Sequence, residues 1–230
     1  MSRPFFLLAL ASIFGVSSCW EGTTRSICAT VLSRSGEVQY SEQSSTNSRP
    51  VDSKTKLCPD SILKTASDGE ADLILIPGAL VRIAGDSELK IAELKLTKDG
   101  NETGEAMRER HARVELRRGG MIVLFEGFAQ FNIQTANVAI NVLPSCLFRI
   151  EVDQSRTRLT CVRGKVFATP KSGQRVAVET GFFCEWPAER SAISVREDRQ
   201  AQTDMTTMLQ IGRELTDLGA VARDRLPGVP

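Results

Sequence analysis

The sequence predicts an all-β domain followed by a single C-terminal amphipathic helix, and three features of its patterning carry that expectation. Short runs of alternating apolar and polar residues succeed one another from Ile27 to Arg196. Gly, Pro, Asp and Ser separate them at close intervals, as strands and turns require. No helix-period segment lies between the runs to suggest βαβ units, so a β-solenoid or β-sandwich is expected.

The runs occupy 29–33, 37–40, 71–76, 79–84, 88–96, 113–117, 121–125 and 130–135. They continue at 138–143, 146–152, 157–162, 165–169, 175–179, 182–186 and 192–196. Turn residues mark 35–36, 77–78, 85–86, 119–120, 126–127, 163–164 and 172–173, with the Gly-Gly at 119–120 read as a link between two strands. Two polar stretches, 41–57 and 97–111, read as exposed loops. Beyond them the period changes. Met208, Ile211, Leu215, Leu218 and Ala222 recur at three and four residues, which predicts a helix over 203–222 with Thr203 or Asp204 as N-cap. Its apolar stripe either packs on the β domain or docks onto another protein. Pro227 and Pro230 lie past its end.

The opening residues have the layout of an export signal. Arg3 gives a positive start, and 5–16 give an apolar run too short to cross a bilayer, which takes roughly 20 residues. Val16, Ser17 and Ser18 then precede Cys19, which resembles the lipobox of bacterial lipoproteins. That resemblance implies cleavage before Cys19 and acyl chains, palmitate among them, on its thiol and new N-terminus. The alternative is an ordinary secretory signal cut nearby. The expected organisation is therefore a signal peptide at 1–18, a lipidated Cys19 and spacer at 19–28, a β domain at 29–198, and a helix and tail at 199–230. Trp20 is not the Asp associated with inner-membrane retention, so the expected address is the outer membrane, facing the periplasm. Removing residues 1–18 from the 230 leaves 212, enough for one domain with a small appendage. The formal net charge of +1 supplies no field to draw nucleic acid, and no nucleic-acid partner is expected.

The order of the β runs is similar to that of the FecR domain family. Leu63-Lys64-Thr65, the turn Asp68-Gly69, the strand 71–76, Gly78, Val81-Arg82-Ile83 and Ser87-Glu88-Leu89 resemble its first half. The segments 114–125, 131–142, 147–169 and 175–186 resemble its second, so the likeness extends over 29–186. One departure stands out. The family's Gly-Thr before a Phe is missing, and the stretch 142–148 reads VLPSCLF. The resemblance implies an extracytoplasmic β domain that senses or binds protein. The family's signalling members add a cytoplasmic segment and a membrane helix, whereas a lipid on Cys19 would leave no residue on the cytoplasmic side to hold a sigma factor.

Chemistry is thinly represented. His111, the one histidine, lies in a charged run and reads as a solvated surface residue without a nucleophile. Glu70/Asp72 and Glu151/Asp153 are two apart and share strand faces, a spacing that a hydrolase could use but that also arises freely among 28 acidic residues. The sequence therefore predicts no catalytic residue, no metal ligand and no cofactor. Arg108, Arg110, Arg113, Arg117 and Arg118 form the one local charge asymmetry, either a contact for anionic polymer or headgroups or a charged strand edge. The expected function is binding or scaffolding of an envelope protein or polysaccharide, with an accessory sensor or a hydrolase as alternatives.

Cys28, Cys58, Cys146, Cys161 and Cys184 remain after lipidation, an odd number that leaves at least one unpaired within the molecule. Cys146 and Cys161 flank one hairpin. A four-residue loop would set Val152 opposite Thr157 and Phe148 opposite Cys161, with Cys146 a diagonal away. A two-residue loop would set the two thiols directly opposite. Asp153-Gln154 suits a two-residue turn poorly, so the expectation is two core thiols not bridged to each other.

Overall fold

A computed structural model describes residues 23–42, 47–98, 109–127, 129–171, 173–187 and 192–225. The expected signal peptide and Cys19 lie outside those residues, as does the tail from 226.

The strands run β1 (Thr23–Ser26), β2 (Ala29–Ser35), β3 (Val38–Ser41), β4 (Arg49–Pro50), β5 (Lys56–Leu57) and β6 (Ile62–Thr65). Next come β7 (Glu70–Ile76), β8 (Ala79–Ile83), β9 (Glu88–Lys98), β10 (Glu109–Phe125), β11 (Gln130–Gln134) and β12 (Val138–Val142). The last are β13 (Cys146–Val152), β14 (Thr157–Arg163), β15 (Lys165–Pro170), β16 (Val176–Glu179), β17 (Phe182–Trp186) and β18 (Ile193–Ser194), before helix α1 (Arg199–Arg225).

These strands make two sheets around one core. The front sheet has the order β4-β3-β6-β9-β10-β11-β12-β15-β16, with β1 beside the end of β9. The back sheet has the order β5-β2-β7-β8-β10-β13-β14-β17-β18. Strand β10 belongs to both, so the sheets form a flattened, barrel-like sandwich. Leu89, Val114, Ile133 and Ile140 of the front sheet meet Leu73, Val81, Val123, Phe148 and Leu159 of the back sheet in one buried cluster. Alternation puts these residues inward and their neighbours outward. A sandwich, the second of the two expected architectures, is the result.

The Gly-Gly at 119–120 does not end a strand. Its role is to let one strand change sheets. Glu109 to Arg118 pairs with β9, Gly119 to Phe125 pairs with β13, and Met121 to Phe125 pairs with β8 as well. At the crossing Gly119 has φ +86°, and a Cβ there would lie 2.1 Å from Ser87 Oγ. Only glycine fits so close an approach in that conformation. Ser87 Oγ in turn accepts from Gly120 N–H at 2.9 Å, and Thr65 Oγ1 accepts from Ser87 N–H at 2.9 Å and donates to Ala84 O at 2.7 Å. The Thr and Ser of the family-like pattern are thus buried hydroxyls that pair backbone groups at the crossover, which would otherwise be costly to bury.

Both expected loops contain strand. The first holds β4, β5 and the fully buried Val51 and Leu57. At the second, β9 runs to Lys98 and β10 starts at Glu109. Alternation is too short in these places to be read from composition. The helix also begins earlier than expected: Asp198, not Thr203 or Asp204, accepts from Ala201 N–H at 2.9 Å as its cap.

Helix α1 lies across the outside of the back sheet. Met208 and Leu215 are fully buried and join Leu80, Ile122, Leu124, Leu147 and Val162 in a second cluster. Gly212 and Gly219 bring the helix close, since a Cβ would come within 2.8 Å of Leu147 Cδ2 and 2.9 Å of Leu80 Cδ1. Arginines of the sheet then tie it down. Arg82 reaches Glu214 at 2.8 Å, Arg158 reaches Asp198 at 3.2 Å, and Arg149 lies 3.7 Å from Asp204. Packing on the β domain, the first reading of the stripe, is what the helix does.

Candidate binding face

With the back sheet under a helix, the front sheet is the one whose outer side no other described element covers. Pairing registers align one row across six strands: Glu93, Arg113, Asn132, Asn141, Phe167 and Ala177. Five strand spacings make this row about 24 Å wide. A second row holds Lys90, Glu115, Gln134, Ala139 and Thr169. The residues between them point into the core, so the surface is fixed by alternation on a rigid sheet and is not a loop.

Charge and hydrogen bonding divide this face. On β9 and β10, Glu88 takes Arg117 at 3.0 Å and Lys64 at 3.2 Å, and Glu93 takes Lys95, Arg113 and His111 Nε2. The hydrogen bond from Lys95, with the nearby cations, holds the Glu93 carboxyl below its ordinary range. Across β11 and β12 the face is uncharged, and on β15 Lys165 pairs with Glu179 at 2.7 Å and lies 5.6 Å from the Phe167 ring. Asn141 donates to Asn132 at 3.1 Å, and the Phe167 ring lies under the Arg175 guanidinium at 3.7 Å. Amide groups beside an aromatic ring offer donors, acceptors and an apolar surface, the mixture that both sugar rings and protein side chains require.

The predicted arginines do not converge. Arg113 and Arg117 stand on the front face within ion pairs, and Arg118 donates to Asp86 O at 3.1 Å beside the crossover. Arg110 turns toward the back sheet and donates to Pro77 O at 3.4 Å. Arg108 lies outside the described residues. The sequence groups them because adjacent numbers hide the alternation of a strand. It missed Asn132, Asn141 and Phe167, which only the register of three strands brings side by side.

The acidic pairs serve the fold. Asp72 is buried between Ser33 Oγ at 2.6 Å and Arg82 Nε at 2.8 Å, with Glu70 3.5 Å from the same guanidinium. Burial opposes the charge of Arg82, but the hydrogen bonds and charges of Asp72, Glu214 and Glu70 outweigh it and raise its pKa. Burial also raises the Glu70 carboxyl. Glu151 pairs with Arg149 at 2.6 Å, and Asp153 lies past the end of β13, where it accepts from Ser155 and Arg156 N–H. No group of three or more metal-ligating side chains occurs among the described residues.

The cysteines sort as parity demanded. Cys28 and Cys58 are bridged, while Cys146, Cys161 and Cys184 are buried free thiols. Val152 faces Thr157 and Phe148 faces Cys161, the register of the four-residue loop. Burial, with Cys146 nearby, pushes the Cys161 thiol up to about 12, and burial pushes Cys184 up to about 11.

Comparison with known families agrees with this architecture. Residues 61–167 match the family model described as FecR protein. The matched stretch is FecR-like. The match runs from just before β6 into β15 and so takes in the sheet crossover and most of the bare face, inside the wider 29–186 expected from the sequence. Two crystal structures of a "putative anti-sigma factor" from Parabacteroides distasonis ATCC 8503 are similar at 11% and 10% identity, each with a TM-score of 0.42. Each comparison covers 57% of this chain and 57% of the other, so this chain spans little more than half the length of those proteins. A search of curated proteins finds no match. Among the described residues, no helix is long and apolar enough to cross a membrane.

Proposed function

We propose that this is a cell-envelope protein, anchored by lipid on Cys19, whose FecR-like domain binds or scaffolds an envelope protein or polysaccharide without catalysing a reaction. The outer membrane, facing the periplasm, is the proposed address. The observation that carries the binding reading is the asymmetry of the sandwich: one sheet is covered by α1, while the outer side of the other, which no described element covers, carries a row from Arg113 through Asn132 and Asn141 to Phe167. Rigid strands hold these side chains at fixed spacing, which limits the entropy lost on binding. The engagement of Asp72, Glu151 and Asp153 in structural bonds supports a binding role over hydrolysis.

Chemical cross-linking in intact cells tests it. The wild-type chain should yield a defined adduct that the double variant Asn141→Arg, Phe167→Ser loses while keeping its fold. An adduct that survives both changes places the partner elsewhere. A second reading, an accessory sensor for a separate membrane protein, has the FecR match behind it. It predicts that deleting the chain alters transcription of a transport or stress gene set, whereas a scaffold predicts an altered envelope with transcription unchanged.

A further inference from the structure

The first described strand fixes where any N-terminal anchor must leave the domain. Thr23 of β1 pairs with Lys98, and Thr24 pairs with Thr97, at the end of β9. Thr97 in turn pairs with Glu109, and His111 pairs with Gln130, so the starts of β1, β10 and β11 and the end of β9 lie together at one end of the front sheet. A cleft of about 460 Å³ opens there between Lys95, Glu109, Arg110, His111 and Gln130.

Cys19 is four residues before Thr23, a span of at most about 14 Å even when fully extended. An acyl chain on Cys19 therefore holds this end of the sandwich against the headgroups. The opposite end is far away. Strand β9 has 11 residues from Glu88 to Lys98, a length of about 33 Å. At its Glu88 end the turns at Asp68, Asp86 and Asp153–Arg156 come together: Asp86 N–H donates to Ala66 O, Glu88 pairs with Arg118, and Gly119 pairs with Val152 beside the last turn.

From this geometry, and resting on the lipid anchor proposed above, we infer that the domain stands upright on the bilayer. The β1–β9–β10–β11 end, with its cleft, contacts the phospholipid headgroup layer. The turns around Asp68 and Ser155 and the distal part of the bare face point away from it. The tether sets this orientation, not charge. Among the described residues at that end, Arg25, Lys95 and Arg110 exceed Glu93 and Glu109 by one charge, which gives only a weak attraction to anionic lipid.

Spin labels test the inference on the acylated full chain. Cysteine is introduced singly at Gln130, Asp68 or Ser155, all exposed positions. The native thiols are buried or bridged and take no label while the protein is folded. Each variant is placed in phosphatidylethanolamine vesicles containing a nickel-chelating headgroup lipid, with and without phosphatidylglycerol. Nickel should relax the label at Gln130 strongly and those at Asp68 and Ser155 little, alike in both lipid mixtures. Equal relaxation at the two ends, stronger relaxation at Ser155, or an orientation that changes with phosphatidylglycerol would overturn the upright placement. Flotation of the wild type beside Cys19→Ser reports on the anchor separately. A wild type that floats while Cys19→Ser does not keeps the anchor reading intact whatever the labels show.

Discussion

Ser145 has φ +61°, in the left-handed region that favours glycine. Counting back from Phe148, it falls at the Gly of the Gly-Thr pair in the pattern that this stretch resembles, and Cys146 falls at the Thr. Beside it, Cys146 Sγ donates to Leu143 O at 2.8 Å and lies 3.1 Å from Lys165 O. Ser145→Gly should relieve the strain and stabilise the fold by up to about 1 kcal/mol, less the added chain entropy of glycine. A rise in melting temperature checks it. The thiols make a second prediction at this scale. With Cys161 pushed up to about 12 by burial and Cys184 to about 11, the folded Cys19→Ser protein should not react with a water-soluble thiol reagent at neutral pH. Three thiols should react once denaturant is added without reductant, and a count of one would mean that two had paired.

Helix α1 shows how unequal the contributions of one element's residues are. Leu215 is fully buried, while Leu218 on the same stripe is only partly so. Leu215→Ala should cost about 2–5 kcal/mol and Leu218→Ala clearly less, as read from denaturant unfolding. The cap is pH-sensitive. Hydrogen bonding from Ala201 N–H, with the charge of Arg158, lowers the Asp198 pKa below the ordinary 3.8. A group depressed in the folded state stabilises fully above its unfolded pKa and loses that contribution as pH falls through the folded value. Asp198→Ala should therefore lower the melting temperature at pH 7 and make little difference near pH 2, with a cost of about 1 kcal/mol at the higher pH. Elements of this kind were legible where the apolar period was long: β13 and β17 have the bounds that alternation predicted, and the helix stripe was visible from Met208 on. Strands β1, β4 and β5 were not, because two to four residues carry no period. The continuity of β10 was hidden because Gly-Gly signals a turn in sequence and a sheet crossover in space.

On the scale of the whole molecule, strand pairing and a docked helix unite the segments before and after the FecR match with its core: β1, β2 and β3 pair with β9, β7 and β6, and α1 packs on the back sheet. The Cys28–Cys58 bridge closes a loop with a sequence separation of 30, worth roughly 3–4 kcal/mol in the chain-entropy account. Its pairing could not be read from five scattered cysteines. The candidate face was less legible still. Asn132, Asn141 and Phe167 lie on three strands, and nothing local marks them as neighbours. The proposed anchor, by contrast, rests on a purely local signal, and Cys19→Ser is expected to move the protein from the membrane fraction to the soluble one. Retention of that variant after a salt wash would put the attachment elsewhere. The central claim is that the bare front sheet is the surface that meets a partner, and photo-cross-linking in living cells tests it most directly. A photoreactive residue at Asn141 is compared with one at Thr207, on the exposed side of α1. The account predicts a defined adduct from Asn141 and none from Thr207. An adduct from Thr207 alone would contradict it.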